Sequence, residues 1–217
     1  MYKFDLVIFD CDGVLVDSEK IANEVFCRVL NEECGFSLSL EDMFERFVGK
    51  SSSQCMILIE EMLGYKPPFE LEYKYKTEIF NALKSQVEAV KGIEHVLSHL
   101  NLPMCVASSG SHEKMQATLG KTGLLKYFGK NLTSGSDVKR GKPYPDIYIH
   151  AASKMGICDV SKCLVIEDSP TGVLGAIRAD MSVFGYCELT KKQKLIDAGA
   201  HQTFDDMNQL LSMIKHF

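Results

Sequence analysis

Three features are missing from this 217-residue sequence: a long apolar run, a secretion signal and a basic stripe. A membrane-spanning helix needs about 18 apolar residues in a row. No apolar run in this sequence is nearly that long, so we expect no membrane partner. Asp5 and Asp10 lie where a signal peptide would be apolar, so secretion is not expected. The chain has 24 Lys and Arg and 29 Asp and Glu, which gives a net charge of −5. We therefore also expect no nucleic-acid partner.

Paired cysteine motifs are absent as well. The eight cysteines contain no CxxC pair and lie mostly in apolar or mixed surroundings. We therefore expect reduced cysteines that serve packing in a cytoplasmic protein. Hydrophobic residues make up 46% and charged residues 24% of the chain, which is typical of a globular protein and excludes disorder, collagen and coiled coil.

Short apolar runs alternate with helical periodicity along most of the chain. The runs at 3–9, 102–108 and 163–167 predict buried strands, and 131–134 and 181–186 are weaker strand candidates. Helical spacing of apolar residues occurs at 112–125, 144–155 and 171–179, with Ser111 as an N-cap. This alternation predicts the α/β class, with a Rossmann-like parallel sheet covered by helices.

One long segment interrupts the alternation. From about residue 19 to 84 only helical periodicity is present, punctuated by loops at 49–53 and 64–68. We expect an inserted helical domain at 17–87 and a Rossmann-like core built from 1–16 and 88–217. The C-terminal residues predict a last strand and an amphipathic helix.

Three of the predicted strands run directly into polar residues. The sequences that follow or end them are Asp10-Cys11-Asp12-Gly13, Ser108-Ser109-Gly110 and Glu167-Asp168-Ser169. Taken alone, each of these three sequences is typical of an ordinary turn or helix cap. Because ligands bind beyond the carboxyl ends of the strands in an open parallel sheet, we expect all three to line one crevice.

A cluster of carboxylates needs protons or a cation. At about 4 Å, each pair of like charges costs about 4 kcal/mol at an effective dielectric of about 20. Oxygen ligands without cysteine or histidine favour Mg²⁺ over Zn²⁺. The hydroxyls and backbone N–H groups of Ser108 and Ser109 suit a phosphate oxygen, and Lys142 adds a positive charge.

These residues resemble the motifs of the haloacid dehalogenase superfamily. The resemblance rests on DCDGVLVDS at 10–18, the serine at 108, GKPYPD at 141–146 and VIEDSPTG at 165–172. It extends over nearly the whole chain and points to the phosphogluconate phosphatase and β-phosphoglucomutase-like subgroup. It implies that the inserted helical block at 17–87 is a cap domain over the active site.

The resemblance also implies a role for each motif residue. Asp10 would be the nucleophile that forms an aspartyl-phosphate, and Asp12 the general acid and then the base. Asp10, the backbone carbonyl of Asp12 and Asp168 would hold Mg²⁺, with Glu167 close by.

The same resemblance assigns the phosphate contacts. Ser108 and Lys142 would bind the transferring phosphoryl group, and Lys142 would also offset the charge of Asp10. In the inserted block, Gly49 and Lys50 are the best candidates for contacts with the rest of the substrate.

The reaction implied is hydrolysis of a small phosphorylated metabolite. Dehalogenases and phosphonate-cleaving members lack the second aspartate, which is present here as Asp12. The mutase subgroup carries a cap histidine where this chain has Ala22, which favours a phosphatase acting on a sugar phosphate or a phosphosugar acid such as 6-phosphogluconate. A sugar-phosphate mutase and a non-catalytic phosphate-binding module remain alternatives. We expect a monomer or weak homodimer.

Overall fold

The chain divides into two compact units. The computed structural model describes residues 3–47 and 52–217. The core unit is Met1–Asp17 with Glu88–Phe217, and the helical unit is Ser18–Val87. Sequence patterns had predicted these boundaries at 16/17 and 87/88. The predicted substrate contacts Gly49 and Lys50 lie outside the described residues.

Five strands of the core unit occur where apolar runs predicted them, and a sixth lies in the C-terminal segment predicted to hold a last strand, whereas the short strands at 16–17 and 88–89 were not predicted. Within the described residues the strands are β1 (Leu6–Phe9), β2 (Val16–Asp17), β3 (Glu88–Ala89), β4 (Met104–Ser108), β5 (Leu132–Ser134), β6 (Cys163–Glu167), β7 (Ser182–Tyr186) and β8 (Gln202–Phe204). Six of them form one parallel sheet in the order β5-β4-β1-β6-β7-β8. This confirms the predicted α/β class and parallel sheet. The two weaker strand candidates are the real strands β5 and β7.

Strands β2 and β3 form a small antiparallel ribbon. Val16 pairs with Ala89, and Asp17 pairs with Glu88. The ribbon therefore joins the two points at which the chain leaves and re-enters the core unit.

The described helices fall into two groups. The helical unit contains α1 (Glu19–Cys34), α2 (Leu40–Arg46), α3 (Ser52–Leu63) and α4 (Leu71–Gln86). The core unit carries α5 (Ile93–His99), α6 (His112–Lys121), α7 (Leu125–Phe128), α8 (Asp146–Lys154), α9 (Pro170–Arg178), α10 (Lys192–Asp197) and α11 (Leu210–His216). Among the described residues, no helix combines the length and the apolar character needed to cross a membrane.

One predicted helix is interrupted. The periodicity predicted a single helix over 112–125, but α6 ends at Lys121 and the short α7 begins at Leu125. Between them Gly123 adopts a φ of +73°, a left-handed conformation that a helix cannot continue through.

Central strands buried on both faces explain the apolar runs. All four residues of β1 and all five of β6 are buried. On one face of the sheet, Leu6 and Ile8 belong to a cluster with residues of α8 and α9, among them Ile147 and Val173. A parallel strand covered by helices on both faces needs such a continuous apolar run.

The helical unit has a separate set of contacts. Phe26 of α1 packs against Tyr75 of α4, with 4.7 Å between ring centroids, and against Phe47 at 5.4 Å. Lys74 of α4 adds ion pairs to Glu32 and Glu33 of α1. These contacts tie α1 to α4 within the unit.

The central strand is expected to dominate the stability of the core unit. Ile8→Ala should lower the free energy of unfolding by about 2 to 5 kcal/mol, because Ile8 is fully buried and the truncation leaves a cavity. The same change at Ile149, which is 46% exposed on α8, should cost about 0.5 kcal/mol or less. Urea unfolding of both variants measures this; equal losses would contradict the assignment of the core.

Candidate active site

Three neighbouring strand ends bring the predicted polar residues together. Strand β1 lies between β4 and β6 in the sheet. Asp10 follows β1, Ser108 is the last residue of β4, and Glu167 is the last residue of β6, with Asp168 next. The parallel order therefore places motifs from distant parts of the chain at one edge of the sheet.

Lys142 lies at the centre of this group. Its Nζ donates hydrogen bonds to Oδ1 of Asp10 and to Oε1 of Glu167, both at 2.6 Å. The lysine side chain is only 5% exposed, and its Nζ lies 5.3 Å from the centroid of the Tyr148 ring. One buried ammonium group thus bridges two buried carboxylates.

Glu167 is held by four hydrogen-bond donors. Besides Lys142, the Tyr148 hydroxyl donates to Oε1 at 3.1 Å. The N–H and hydroxyl of Ser169 donate to Oε2 at 2.8 and 2.9 Å. The carboxylate also lies so close to Gly172 of α9 that a Cβ there would overlap it. Glu167 is therefore fixed in one position and in turn fixes Lys142.

Three carboxylates at this edge fit a metal ion. Asp10, Glu167 and Asp168 each offer an oxygen, and these oxygens lie within 4.8 Å of one another. An all-oxygen donor set without cysteine or histidine is typical of Mg²⁺. Gly13 leaves room for this arrangement, because its φ of +75° favours glycine and a Cβ there would overlap the Asp168 carboxylate.

The electrostatics of the group favour a bound cation. Burial, together with the nearby Glu167, raises the pKa of Asp10 from 3.8 to about 7, against the opposing attraction of Lys142. The pKa of Lys142 is held well above its usual value, since Asp10 and Glu167 outweigh the effect of burial. A single ammonium group therefore does not balance the carboxylates, and a divalent cation would supply the missing charge.

Asp12 lies apart from this set of carboxylates. Both of its side-chain oxygens accept hydrogen bonds from Nζ of Lys114 at 2.8 Å. The pair is part-buried, with the Lys114 side chain 29% and the Asp12 side chain 26% exposed. Burial lowers the pKa of Lys114, but the nearby anionic groups, Asp12 foremost, together raise it by more, so that the net shift is upward. The predicted metal contact of Asp12, through its backbone carbonyl, stays a prediction.

The loop after β4 is organised around two serines. The N–H of Gly110 donates to Ser108 Oγ at 3.0 Å, and the hydroxyl of Ser134 donates to the carbonyl of Gly110 at 2.7 Å. Ser111 caps α6 by accepting from a backbone N–H, as its position predicted. Ser108 is buried, whereas Ser109 is exposed. This loop therefore presents a fixed backbone next to Asp12.

The sequence patterns did not identify Lys114 or Tyr148, and they placed Ser169 at the crevice without a role. One signal for Lys114 was available, because a cation in the first turn of a helix opposes the helix dipole and so needs another reason to be there. Tyr148 lies on the apolar face of α8, where a buried hydroxyl requires a partner. Nothing in the sequence identified that partner as Glu167.

The raised pKa of Asp10 predicts a characteristic dependence of stability on pH. Between about pH 4 and 7 the metal-free folded state holds a proton that the unfolded chain has released, so this group's contribution to stability falls as pH rises. Asp10→Asn removes the free-energy cost of holding a charged carboxylate in this buried position. Without metal, the variant should be more stable than wild type at pH 8, on the order of a few kcal/mol, and the difference should vanish toward pH 4.

Thermal unfolding with EDTA and with Mg²⁺ measures this effect. Mg²⁺ should stabilise wild type at pH 8 and stabilise Asp10→Asn much less, because the variant lacks one anionic ligand. Asp5→Asn, at an exposed position just before β1, is the matched control and should follow wild type throughout. A stability difference that is independent of pH would contradict the electrostatic account.

Comparisons with known proteins match both the motifs and the fold. The family model described as haloacid dehalogenase-like hydrolase covers residues 4–180. The 6-phosphogluconate phosphatase of Escherichia coli K12 is 34% identical over 216 residues, which cover 99% of this chain and 96% of that protein.

Solved structures agree with this match. A haloacid dehalogenase-like protein of unknown function from Agrobacterium tumefaciens is 36% identical, with a TM-score of 0.89 and 98% of both chains covered. A haloacid dehalogenase family hydrolase from Deinococcus radiodurans, solved with bound phosphate and sodium, is 29% identical, with a TM-score of 0.84 over 99% of this chain and 98% of that one. The chain therefore belongs to the haloacid dehalogenase-like hydrolases, which confirms the family and the enzyme class predicted from its motifs.

Proposed function

We propose that this enzyme is a Mg²⁺-dependent phosphatase that hydrolyses a small phosphorylated carbohydrate through an aspartyl-phosphate on Asp10. The observation that carries the proposal is the buried Asp10 carboxylate, 2.6 Å from the Lys142 ammonium group and beside Glu167 and Asp168. A carboxylate in this setting is shielded from water and aligned by a fixed cation.

Asp10 acts as the nucleophile. One of its carboxylate oxygens attacks phosphorus, and the bond from phosphorus to the ester oxygen of the substrate breaks. Lys142 is 5% exposed and already contacts Asp10, so its charge offsets the repulsion between carboxylate and phosphate.

Asp12 transfers the protons. It gives a proton to the departing ester oxygen, so that an alcohol leaves, and it takes a proton back from the water that hydrolyses the aspartyl-phosphate. The Asp12 side chain is 26% exposed and lies two residues after Asp10, on the side of the Gly110 loop. The protons balance over one cycle, and the products are the alcohol and inorganic phosphate.

Asp10, Asp168 and the backbone carbonyl of Asp12 would hold Mg²⁺, with Glu167 at its side. When bound, the ion supplies positive charge where the carboxylate and the phosphate oxygens meet. The all-oxygen donor set and the raised pKa of Asp10 support this assignment.

The loop after β4 binds the phosphoryl group. Ser108 offers a hydroxyl, and Ser109 lies at the exposed edge of the same loop. Phosphate oxygens favour such a combination of hydroxyls and backbone N–H groups at the start of a helix. The Deinococcus relative with bound phosphate supports a phosphate ligand for this fold.

A phosphosugar acid is the substrate class we favour. The support is the E. coli relative, a 6-phosphogluconate phosphatase, which aligns with 99% of this chain.

A panel of phosphate esters with and without metal tests the proposal. The purified protein should release inorganic phosphate from 6-phosphogluconate or a hexose phosphate faster than from phosphoglycolate in the presence of Mg²⁺. Chelation should lower the rate by about 100-fold or more, because charge compensation at the nucleophile is lost, and added Mg²⁺ should restore it. Turnover that survives thorough chelation would contradict the metal assignment, and the absence of phosphate release from every ester would contradict the function.

A further inference from the structure

Asp12 and Lys114 form an ion pair whose role the motifs do not explain. Asp12 lies two residues after Asp10, yet its carboxylate is absent from the set formed by Asp10, Glu167 and Asp168 among the described residues. Both of its oxygens instead accept from Lys114 Nζ at 2.8 Å. A salt bridge that engages both oxygens fixes the orientation of the carboxylate as well as its position.

The competing position for Asp12 is at the cation site. A divalent ion held by Asp10, Glu167 and Asp168 would attract any further carboxylate within reach. An aspartate that ligated such an ion directly would no longer be available to exchange protons with the substrate or with water. Lys114 supplies an opposing attraction, on the side of Asp12 that faces the Gly110 loop.

The backbone holds Lys114 in place for this contact. Its N–H donates to the Ser111 side chain at 3.2 Å, and its carbonyl accepts from Thr118 Oγ at 3.0 Å. Its side chain runs along the loop after β4, since a Cβ on Gly110 would lie 3.3 Å from Lys114 Cδ and 3.8 Å from Asp12 Oδ2. The ammonium group is thus preorganised beside the loop to which we assign phosphate binding.

We propose that Lys114 is a positioning residue that holds the Asp12 carboxylate ready to accept a proton when water hydrolyses the aspartyl-phosphate. In this step the water oxygen bonds to phosphorus, the bond from phosphorus to the Asp10 oxygen breaks, and the water proton passes to Asp12. The inference rests on the proposed function, because it needs the aspartyl-phosphate. It assigns Lys114 to the second half of the reaction rather than to substrate binding.

Steady-state and burst kinetics with p-nitrophenyl phosphate and Mg²⁺ separate the two halves of the reaction. With this good leaving group, kcat/KM reports formation of the aspartyl-phosphate and kcat reports its hydrolysis. Lys114→Met should lower kcat by about 10-fold to 100-fold, because a misplaced Asp12 loses part of the rate enhancement that a general base gives. The same variant should change kcat/KM by less than about threefold. KM should therefore fall with kcat, and a burst of p-nitrophenol should appear.

Three further variants make the result specific. Lys114→Arg should keep kcat within about fivefold of wild type, because a guanidinium group also donates to both carboxylate oxygens. Lys121→Met, at the exposed end of the same helix, is the matched control and should leave both constants unchanged. In an Asp12→Asn background, Lys114→Met should lower kcat by no more than about twofold, because the residue it positions is already lost.

The possible outcomes are distinguishable. Equal losses in kcat and kcat/KM, an unchanged kcat, or a full further loss in the Asp12→Asn background would each overturn the role of Lys114 while leaving the phosphatase intact. A wild-type protein that releases no phosphate with Mg²⁺, either from p-nitrophenyl phosphate or from any ester of the panel above, would overturn the proposed function and this inference together.

Discussion

The site depends on one buried ammonium group shared by two buried carboxylates. Lys142 contacts Asp10 and Glu167 at 2.6 Å each, and all three side chains are 10% exposed or less. Breaking such a group by removing its cation is strongly destabilising, because it leaves uncompensated charge in a medium of low dielectric. The group nonetheless carries more negative than positive charge, and this excess supports the divalent-cation site proposed there.

The fold supplies the rigidity that this arrangement needs. Asp10 and Glu167 follow or end adjacent central strands, and Lys142 reaches them across 132 positions of sequence from Asp10. Glu167 is further fixed by Tyr148 and by Ser169 at the start of α9. Reactive groups supported by packed strands and a filled hydrogen-bond shell hold their geometry better than groups on free loops.

The sequence predicted the frame of the site better than its supporting contacts. The spacing and the apolar character of side chains can be read from neighbouring residues in the sequence. The apolar runs around β1 and β6 therefore predicted the parallel sheet, and the polar residues at their ends identified Asp10 and Glu167. The Lys114 and Tyr148 contacts connect residues far apart in sequence, 102 positions in the first case, and side-chain direction decides them. The single helix predicted over 112–125 was wrong because the left-handed Gly123 ends it, and local periodicity does not report backbone φ.

The division of labour proposed for the two aspartates is consistent with their surroundings. Burial, with Glu167 nearby, raises the pKa of Asp10 to about 7 despite the opposing attraction of Lys142, while Asp12 is part-buried and paired with Lys114. Two carboxylates separated by one residue are thus held in different environments, which suits one to attack phosphorus and the other to move protons.

Chemical trapping of the covalent intermediate tests the central claim most directly. The enzyme would be mixed with Mg²⁺ and a phosphate ester, quenched within one turnover and treated with borohydride, which reduces an acyl phosphate to an alcohol and so converts the modified aspartate to homoserine. Peptide mass spectrometry should then find homoserine at position 10 in wild type and none in Asp10→Asn. Phosphate release in a single turnover with position 10 unmodified, or with another residue modified, would contradict the account.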